Sequence, residues 1–147
     1  MKTLIICGST HHGNTRKLCD AIAAAEPDVD LLEVGRGPIP WEGYGRVGFA
    51  SGVAFGKLYP AITEAAQSIP AGKEVFFLYT CGKNSRDFSE QLADAVKARG
   101  CTVLGSYGCK GFDTYGPFKL IGGINKGHPD QAERDGAVAF YRGLKND

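Results

Sequence analysis

A short polar loop between the first predicted strand and the first predicted helix carries the residues best suited to chemistry. It spans residues 9–15 and reads STHHGNT. Backbone N–H groups at a helix start, together with the helix dipole, favour an anion. Hydroxyl side chains in the loop can donate further hydrogen bonds, and Gly13 lets the backbone turn without a Cβ. The loop therefore predicts an anion site; the alternative is an ordinary capped turn between a strand and a helix.

The kind of anion follows from what the loop lacks. It contains no lysine, and neither the GxxxxGK[ST] triphosphate motif nor the GxGxxG dinucleotide motif is present. A loop that offers mostly neutral donors suits a terminal monophosphate.

The elements that must position this loop alternate along the chain. Short apolar runs of the kind that a buried parallel sheet requires predict five strands, at 3–7, 29–34, 46–50, 74–80 and 102–107. Helical spacing predicts helices from about Asn14, over 58–69 and over 88–100. A capping-box-like start at 130–133 predicts a final helix from about 131. Residues 35–45 hold four glycines and two prolines, so we expect an irregular second crossover. The alternation predicts one α/β domain over 1–147 with a parallel sheet between helices.

Two further loops leave the same predicted edge of the sheet as the first. In open parallel sheets, ligands bind beyond the carboxyl ends of the strands. Residues 50–56 offer small side chains at Ala50, Ser51 and Gly52, which would let backbone approach a flat ligand. Residues 80–86 follow the fourth strand and begin Thr80-Cys81-Gly82-Lys83.

Composition removes several classes of function. The formal charge is +1, from 17 basic and 16 acidic residues, so we expect neither nucleic acid nor an anionic membrane as a partner. No apolar run reaches the roughly 18 residues that span a bilayer. The short apolar run at the N-terminus does not resemble a signal peptide, which leads us to expect a cytoplasmic protein. Five irregularly spaced cysteines predict free thiols rather than disulfides or a zinc site.

The sequence offers few combinations of residues that are typical of catalytic or metal-binding sites. We find no Ser/His/Asp or Cys/His set and no clear pair of carboxylates, so no catalytic residue is predicted. A metal site formed by His11, His12 and His128 is disfavoured, because adjacent residues point in different directions. Cys81 invites a redox-thiol hypothesis, although nothing in the sequence indicates a lowered pKa.

At this point the chain resembles a known family. Residues 10–15, THHGNT, resemble the T-x-T-G-x-T phosphate signature of flavodoxins, with His12 in place of the middle hydroxyl. The run GFASGVAFGK at 48–57, and the segments 111–119 and 122–129, are similar to a subgroup of short flavodoxin-domain proteins. Together these matches cover nearly the whole chain.

The resemblance implies a flavodoxin-like three-layer α/β/α sandwich with strand order 2-1-3-4-5 and bound FMN. The phosphate of FMN would lie in the first loop, and the second and third loops would meet the isoalloxazine ring. The implied cofactor-binding residues are Ser9, Thr10, His11, His12, Gly13, Asn14, Thr15, Ala50, Ser51, Gly52, Phe55, Thr80, Cys81, Gly82 and Lys83. His12 would either donate to the phosphate or point into solvent.

The source of ring stacking stays open. The third loop has no aromatic residue before Phe88, so stacking would come from Trp41, Tyr44 or the long loop at 109–129, or be absent. Phe55 would either contact the ring or pack beneath the next helix. The long loop holds three aromatic residues and three lysines, and it would either cover the flavin edge or pack on the edge of the sheet.

Three functions are compatible with this interpretation. The first is electron transfer between redox proteins, which needs no catalytic acid or base. The second is a small FMN-dependent NAD(P)H:quinone-type oxidoreductase, since the near-zero charge lacks the acidic field typical of carrier flavodoxins. The third is an FMN-binding module without turnover.

Overall fold

The computed structural model describes residues 1–8, 13–83, 85–112 and 121–145. Strands and helices alternate as predicted. The strands are β1 (Thr3–Gly8), β2 (Val29–Glu33), β3 (Arg46–Ala54), β4 (Lys57–Leu58), β5 (Glu74–Cys81) and β6 (Thr102–Lys110). The helices are α1 (Asn14–Ala25), α2 (Pro60–Ala66), α3 (Glu90–Ala98) and α4 (Gln131–Lys145), with a short 3-10 turn at Trp41–Gly43.

The five long strands form a parallel sheet in the spatial order β2-β1-β3-β5-β6. With the two-residue β4 set aside, this is the predicted order 2-1-3-4-5, and the flavodoxin-like fold is confirmed. The second crossover, between β2 and β3, contains no α-helix, as its glycines and prolines indicated. No helix among the described residues is long and apolar enough to cross a bilayer.

Two hydrophobic cores lie on opposite faces of the sheet, because side chains alternate along each strand. Leu4 and Ile6 of β1 pack with helices α2 and α3 on one face. Ile5 and Cys7 of the same strand pack with helices α1 and α4 on the other. This arrangement is the three-layer sandwich expected from the sequence.

The structure corrects the prediction for residues 50–56. Strand β3 does not end at Ala50 but continues to Ala54, and it then turns into β4, which pairs with it antiparallel. Within the described part of the chain, the sheet therefore has six strands rather than five. The small residues expected in this loop instead lie inside β3 and pair with β5; they are Ala50, Ser51 and Gly52. Small side chains did not prevent this, because strands pair through their backbones.

Smaller corrections concern where elements begin and end. Helix α2 starts at Pro60, which is well suited to the first helical position, so Leu58 belongs to β4 and not to the helix. Helix α3 starts at Glu90, which leaves Phe88 outside it. All five cysteines are free and buried, as predicted.

Candidate functional site

The carboxyl ends of β1, β3, β5 and β6 meet at one edge of the sheet, beside the start of α1. A narrow depression lies at this edge and holds about 10 Å³. That is room for one water molecule, so a larger ligand would contact its rim. The residues that line it are Asn14, Gly52, Val53, Tyr59, Thr80, Cys81, Gly82, Gly111 and Phe112.

The start of α1 has the features of an anion site. Gly13 is the N-cap, with a left-handed backbone (φ 64°) and no side chain to cap the helix. The first turn of α1 carries no acidic residue that would repel an anion. The positive end of the helix dipole is therefore not offset by a carboxylate in that turn. Ser9, Thr10, His11 and His12 of the same predicted loop lie outside the described residues.

Asn14 and Thr15 are buried. Thr15 connects α1 to β5, and Asn14 connects it to the segment that follows β6. The Thr15 hydroxyl lies 2.8 Å from the Thr80 hydroxyl, at the end of β5. The Asn14 amide donates to the Phe112 carbonyl at 2.7 Å. Asn14 Oδ1 is buried, and within the described part of the chain it has no hydrogen-bond partner. An acceptor left unpaired in this way is available to a hydroxyl of a ligand.

The hydroxyl pair makes a testable contribution to stability. Thr15→Val or Thr80→Val alone leaves the other hydroxyl buried without its partner, so we expect each to lower the free energy of unfolding by about 1–2 kcal/mol. The double variant removes both polar groups and should lose less than the sum of the single losses. Urea unfolding of the four proteins checks this. Additive losses would mean that the two hydroxyls do not interact.

The predicted third loop is shorter than expected, because Thr80 and Cys81 belong to β5. Gly82 follows the strand directly, and its carbonyl accepts a hydrogen bond from the Asn125 amide. Lys83 is exposed. Asn84 lies outside the described residues.

Asn125 was not identified from the sequence, yet it joins the long loop to this edge. Its backbone is left-handed (φ 58°), a conformation that Asn tolerates better than most residues. The His128 N–H donates to the Asn125 carbonyl, and the Phe112 N–H donates to the His128 carbonyl. The feature that sets Asn125 apart is its positive φ, and a positive φ cannot be read from one sequence. Residues 113–120 of the long loop lie outside the described residues, so its covering role stays a prediction.

His128, Asp130 and Glu133 bring metal-ligating atoms within 4.8 Å of one another. The two carboxylates already have other roles. The Asp130 N–H donates to Glu133 Oε1 and the Glu133 N–H donates to Asp130 Oδ1, each at 2.9 Å. This reciprocal pair is the capping box predicted for the last helix. We therefore assign the cluster to the start of α4.

The structure removes two candidates for ring stacking. Trp41 and Tyr44 precede β3, at the amino end of the strand and so at the opposite edge of the sheet. Lys73, which precedes β5, donates to both of their carbonyls at 2.7 Å. The aromatic character of these residues suggested a ligand, but Trp41 instead packs against Phe49 of the core.

Phe55 is 80% exposed, which contradicts the alternative that it packs beneath the next helix. Cys81 is only 3% exposed, and its thiol donates to the Cys109 carbonyl. Burial raises the pKa of the neighbouring Cys109 to about 12. These surroundings differ from the exposed, electropositive surroundings of reactive cysteines, so the redox-thiol hypothesis gains no support.

Comparison with known proteins identifies one sequence relative and several structures of the same fold. No family model matches the chain. An uncharacterized protein of Methanocaldococcus jannaschii is 38% identical over 151 aligned residues, covering 99% of this chain and 100% of that protein.

Two solved structures are similar at low sequence identity. A flavodoxin of Fusobacterium nucleatum, bound to flavin mononucleotide, has a TM-score of 0.68 at 15% identity and covers 99% of this chain and 98% of its own. The rubredoxin oxygen:oxidoreductase of Desulfovibrio gigas has a TM-score of 0.70 at 17% identity. That match covers 99% of this chain but only 36% of the longer protein. The chain therefore belongs to one family with the Methanocaldococcus jannaschii protein, and its fold is that of the flavodoxins.

Proposed function

We propose that the protein binds FMN at the carboxyl edge of its sheet and transfers electrons between redox partners. The observation that carries this proposal is the start of α1, where a glycine N-cap and a first turn without acidic residues stand beside the ends of the central strands. The similar flavodoxin from Fusobacterium nucleatum is bound to flavin mononucleotide, which supports the same cofactor here.

The residues at this edge fit the parts of FMN. Backbone N–H groups of Gly13, Asn14 and Thr15 would hold the phosphate, together with the predicted loop residues before them. Asn14 Oδ1, buried and unpaired in the described part of the chain, would accept from a sugar-chain hydroxyl. Gly52 and Gly82 would bring backbone close to the ring. Bound FMN would supply the redox chemistry by taking up and releasing one or two electrons.

A second candidate function is a reductase that passes electrons to a small quinone-type acceptor. Near-zero net charge favours it, because a carrier that docks on basic proteins gains from a strongly acidic surface. A cavity of about 620 Å³ beside the hairpin of β3 and β4 also favours it, since this volume suits a small molecule.

Stepwise reduction of the flavin-loaded protein distinguishes the two. We expect two separate one-electron steps for the electron carrier. Direct two-electron reduction by NAD(P)H, followed by quinone turnover, would instead establish the reductase. Protein that takes up no flavin would contradict both.

A further inference from the structure

One side chain ties the segment between β6 and α4 to the rim of the candidate site. The Asn125 amide donates to the carbonyl of Gly82, the residue directly after β5. Gly82 lines the narrow depression at the carboxyl edge of the sheet, whereas Asn125 is not one of its lining residues. The Gly82 carbonyl is therefore bonded to a residue that stands outside the depression.

A chain of hydrogen bonds holds Asn125 in place. The His128 N–H donates to the Asn125 carbonyl at 3.0 Å, and the Phe112 N–H donates to the His128 carbonyl at 3.0 Å. The His128 ring is in turn hydrogen-bonded to the Glu133 carboxylate. Glu133 also accepts from the Lys110 N–H at 3.2 Å, so the chain of bonds is anchored on both β6 and α4. A donor held in this way loses little further freedom when it forms its bond.

Position 125 calls for a particular side chain. Its backbone is left-handed (φ 58°), a conformation that Asn and Asp adopt more readily than most residues with a side chain. Of these two, only Asn carries an N–H that can donate to a carbonyl. Glycine would suit the backbone equally well but would bring no donor. Asn125 thus satisfies both the backbone and the bond to Gly82.

This bond fixes the orientation of the peptide that joins Gly82 to Lys83. The pairing of β5 with β6 ends at Cys81, so Gly82 lies beyond the sheet ladder. Glycine has more backbone freedom than any other residue. A peptide unit is planar and trans, so its N–H points away from its carbonyl. Because the Gly82 carbonyl is bonded to Asn125, the Lys83 N–H points away from Asn125.

We propose that Asn125 is a positioning residue, which turns the Gly82 carbonyl away from bound flavin and so presents the Lys83 N–H to it. This role rests on the proposed function, which places the isoalloxazine ring beside Gly82. A carbonyl facing the ring would disfavour the negative charge that reduced flavin carries, whereas an N–H stabilises it. Asn125 therefore favours reduced over oxidised FMN, and it acts through this peptide.

Two variants of Asn125 test the bond in flavin-free protein. Asn125→Gly keeps the left-handed backbone and removes the amide. Asn125→Asp keeps the shape of the side chain but replaces the donor with an acceptor. We expect the backbone amide resonance of Lys83 to shift in both, because its own peptide loses a hydrogen bond. Ile121→Gly removes an exposed side chain from the same segment and should leave that resonance unchanged. An unchanged Lys83 resonance in both Asn125 variants would overturn the proposal.

The midpoint potential of bound FMN tests the positioning role itself. Asn125→Gly is the decisive variant, because Asn125→Asp also adds a charge. We expect Asn125→Gly to lower the affinity for reduced FMN relative to oxidised FMN roughly tenfold. For a two-electron couple, this lowers the midpoint potential by about 30 mV. The Ile121→Gly protein should keep the original potential.

The outcomes separate this role from the proposed function. Normal FMN uptake by Asn125→Gly with an unchanged or raised potential would overturn the positioning role and leave the flavin site standing. If the original protein takes up no FMN, the proposed function is contradicted, whatever the Lys83 resonance shows in the flavin-free variants.

Discussion

Gly13→Asp should weaken FMN binding roughly 100-fold relative to Gly13→Asn, while both variants fold. The two side chains have almost the same shape, both tolerate a left-handed backbone, and both are favourable helix N-caps. A Cβ at this position meets nothing within 4 Å, so neither side chain is crowded. The variants therefore differ mainly in one negative charge at the start of α1.

The size of the effect follows from Coulomb's law. Two unit charges about 6 Å apart at an effective dielectric constant of about 20 interact by about 3 kcal/mol, which corresponds to the roughly 100-fold loss. Added salt should reduce the difference between the variants. Riboflavin, which lacks the phosphate, is the matched ligand and should bind both variants equally. Equal FMN affinity of the two variants would show that the start of α1 does not hold the phosphate.

Gly48→Ala should lower the free energy of unfolding by about 3 kcal/mol, the result of overpacking. Gly48 lies in β3, the central strand, directly opposite Phe76 of β5. A Cβ at Gly48 would lie 2.4 Å from Cζ of Phe76. The Phe76 ring is fully buried and packs against Phe140 and Tyr141 of α4, so it has little room to move.

The control for this prediction is a glycine in an open position. Gly143 lies on the exposed side of α4, and a Cβ there meets nothing within 4 Å. Gly143→Ala should stabilise the protein by about 1 kcal/mol through helix propensity. Urea unfolding measures both variants. A Gly48→Ala protein as stable as the original would mean that the sheet and α4 adjust more easily than the structure indicates.

Features set by local chemistry could be predicted from the sequence. The buried strands appear as apolar runs, the glycines and prolines at 35–45 exclude a regular helix, and Asp130 with Glu133 forms the predicted capping box. These patterns, with the resemblance to flavodoxins, were enough to predict the flavodoxin-like fold. The same patterns predicted an anion site at the start of α1.

Features that depend on distant residues or on unusual local choices could not be predicted. The hairpin of β3 and β4 was not predicted because its turn is Phe-Gly, whereas the usual sequence signals of a two-residue hairpin are Asn-Gly and Asp-Gly. The bond from Asn125 to the Gly82 carbonyl joins residues 43 positions apart, and no local pattern indicates it. Trp41 and Tyr44 were considered for the site because of their type, and only the topology places them at the opposite edge.

The central claim, a flavin site at the carboxyl edge of the sheet, is tested most directly by titrating flavin-free protein with FMN and following the flavin fluorescence. We expect saturation at one FMN per chain, with tighter binding of FMN than of riboflavin because of the phosphate. No saturable binding, or equal affinity for FMN and riboflavin, would contradict it.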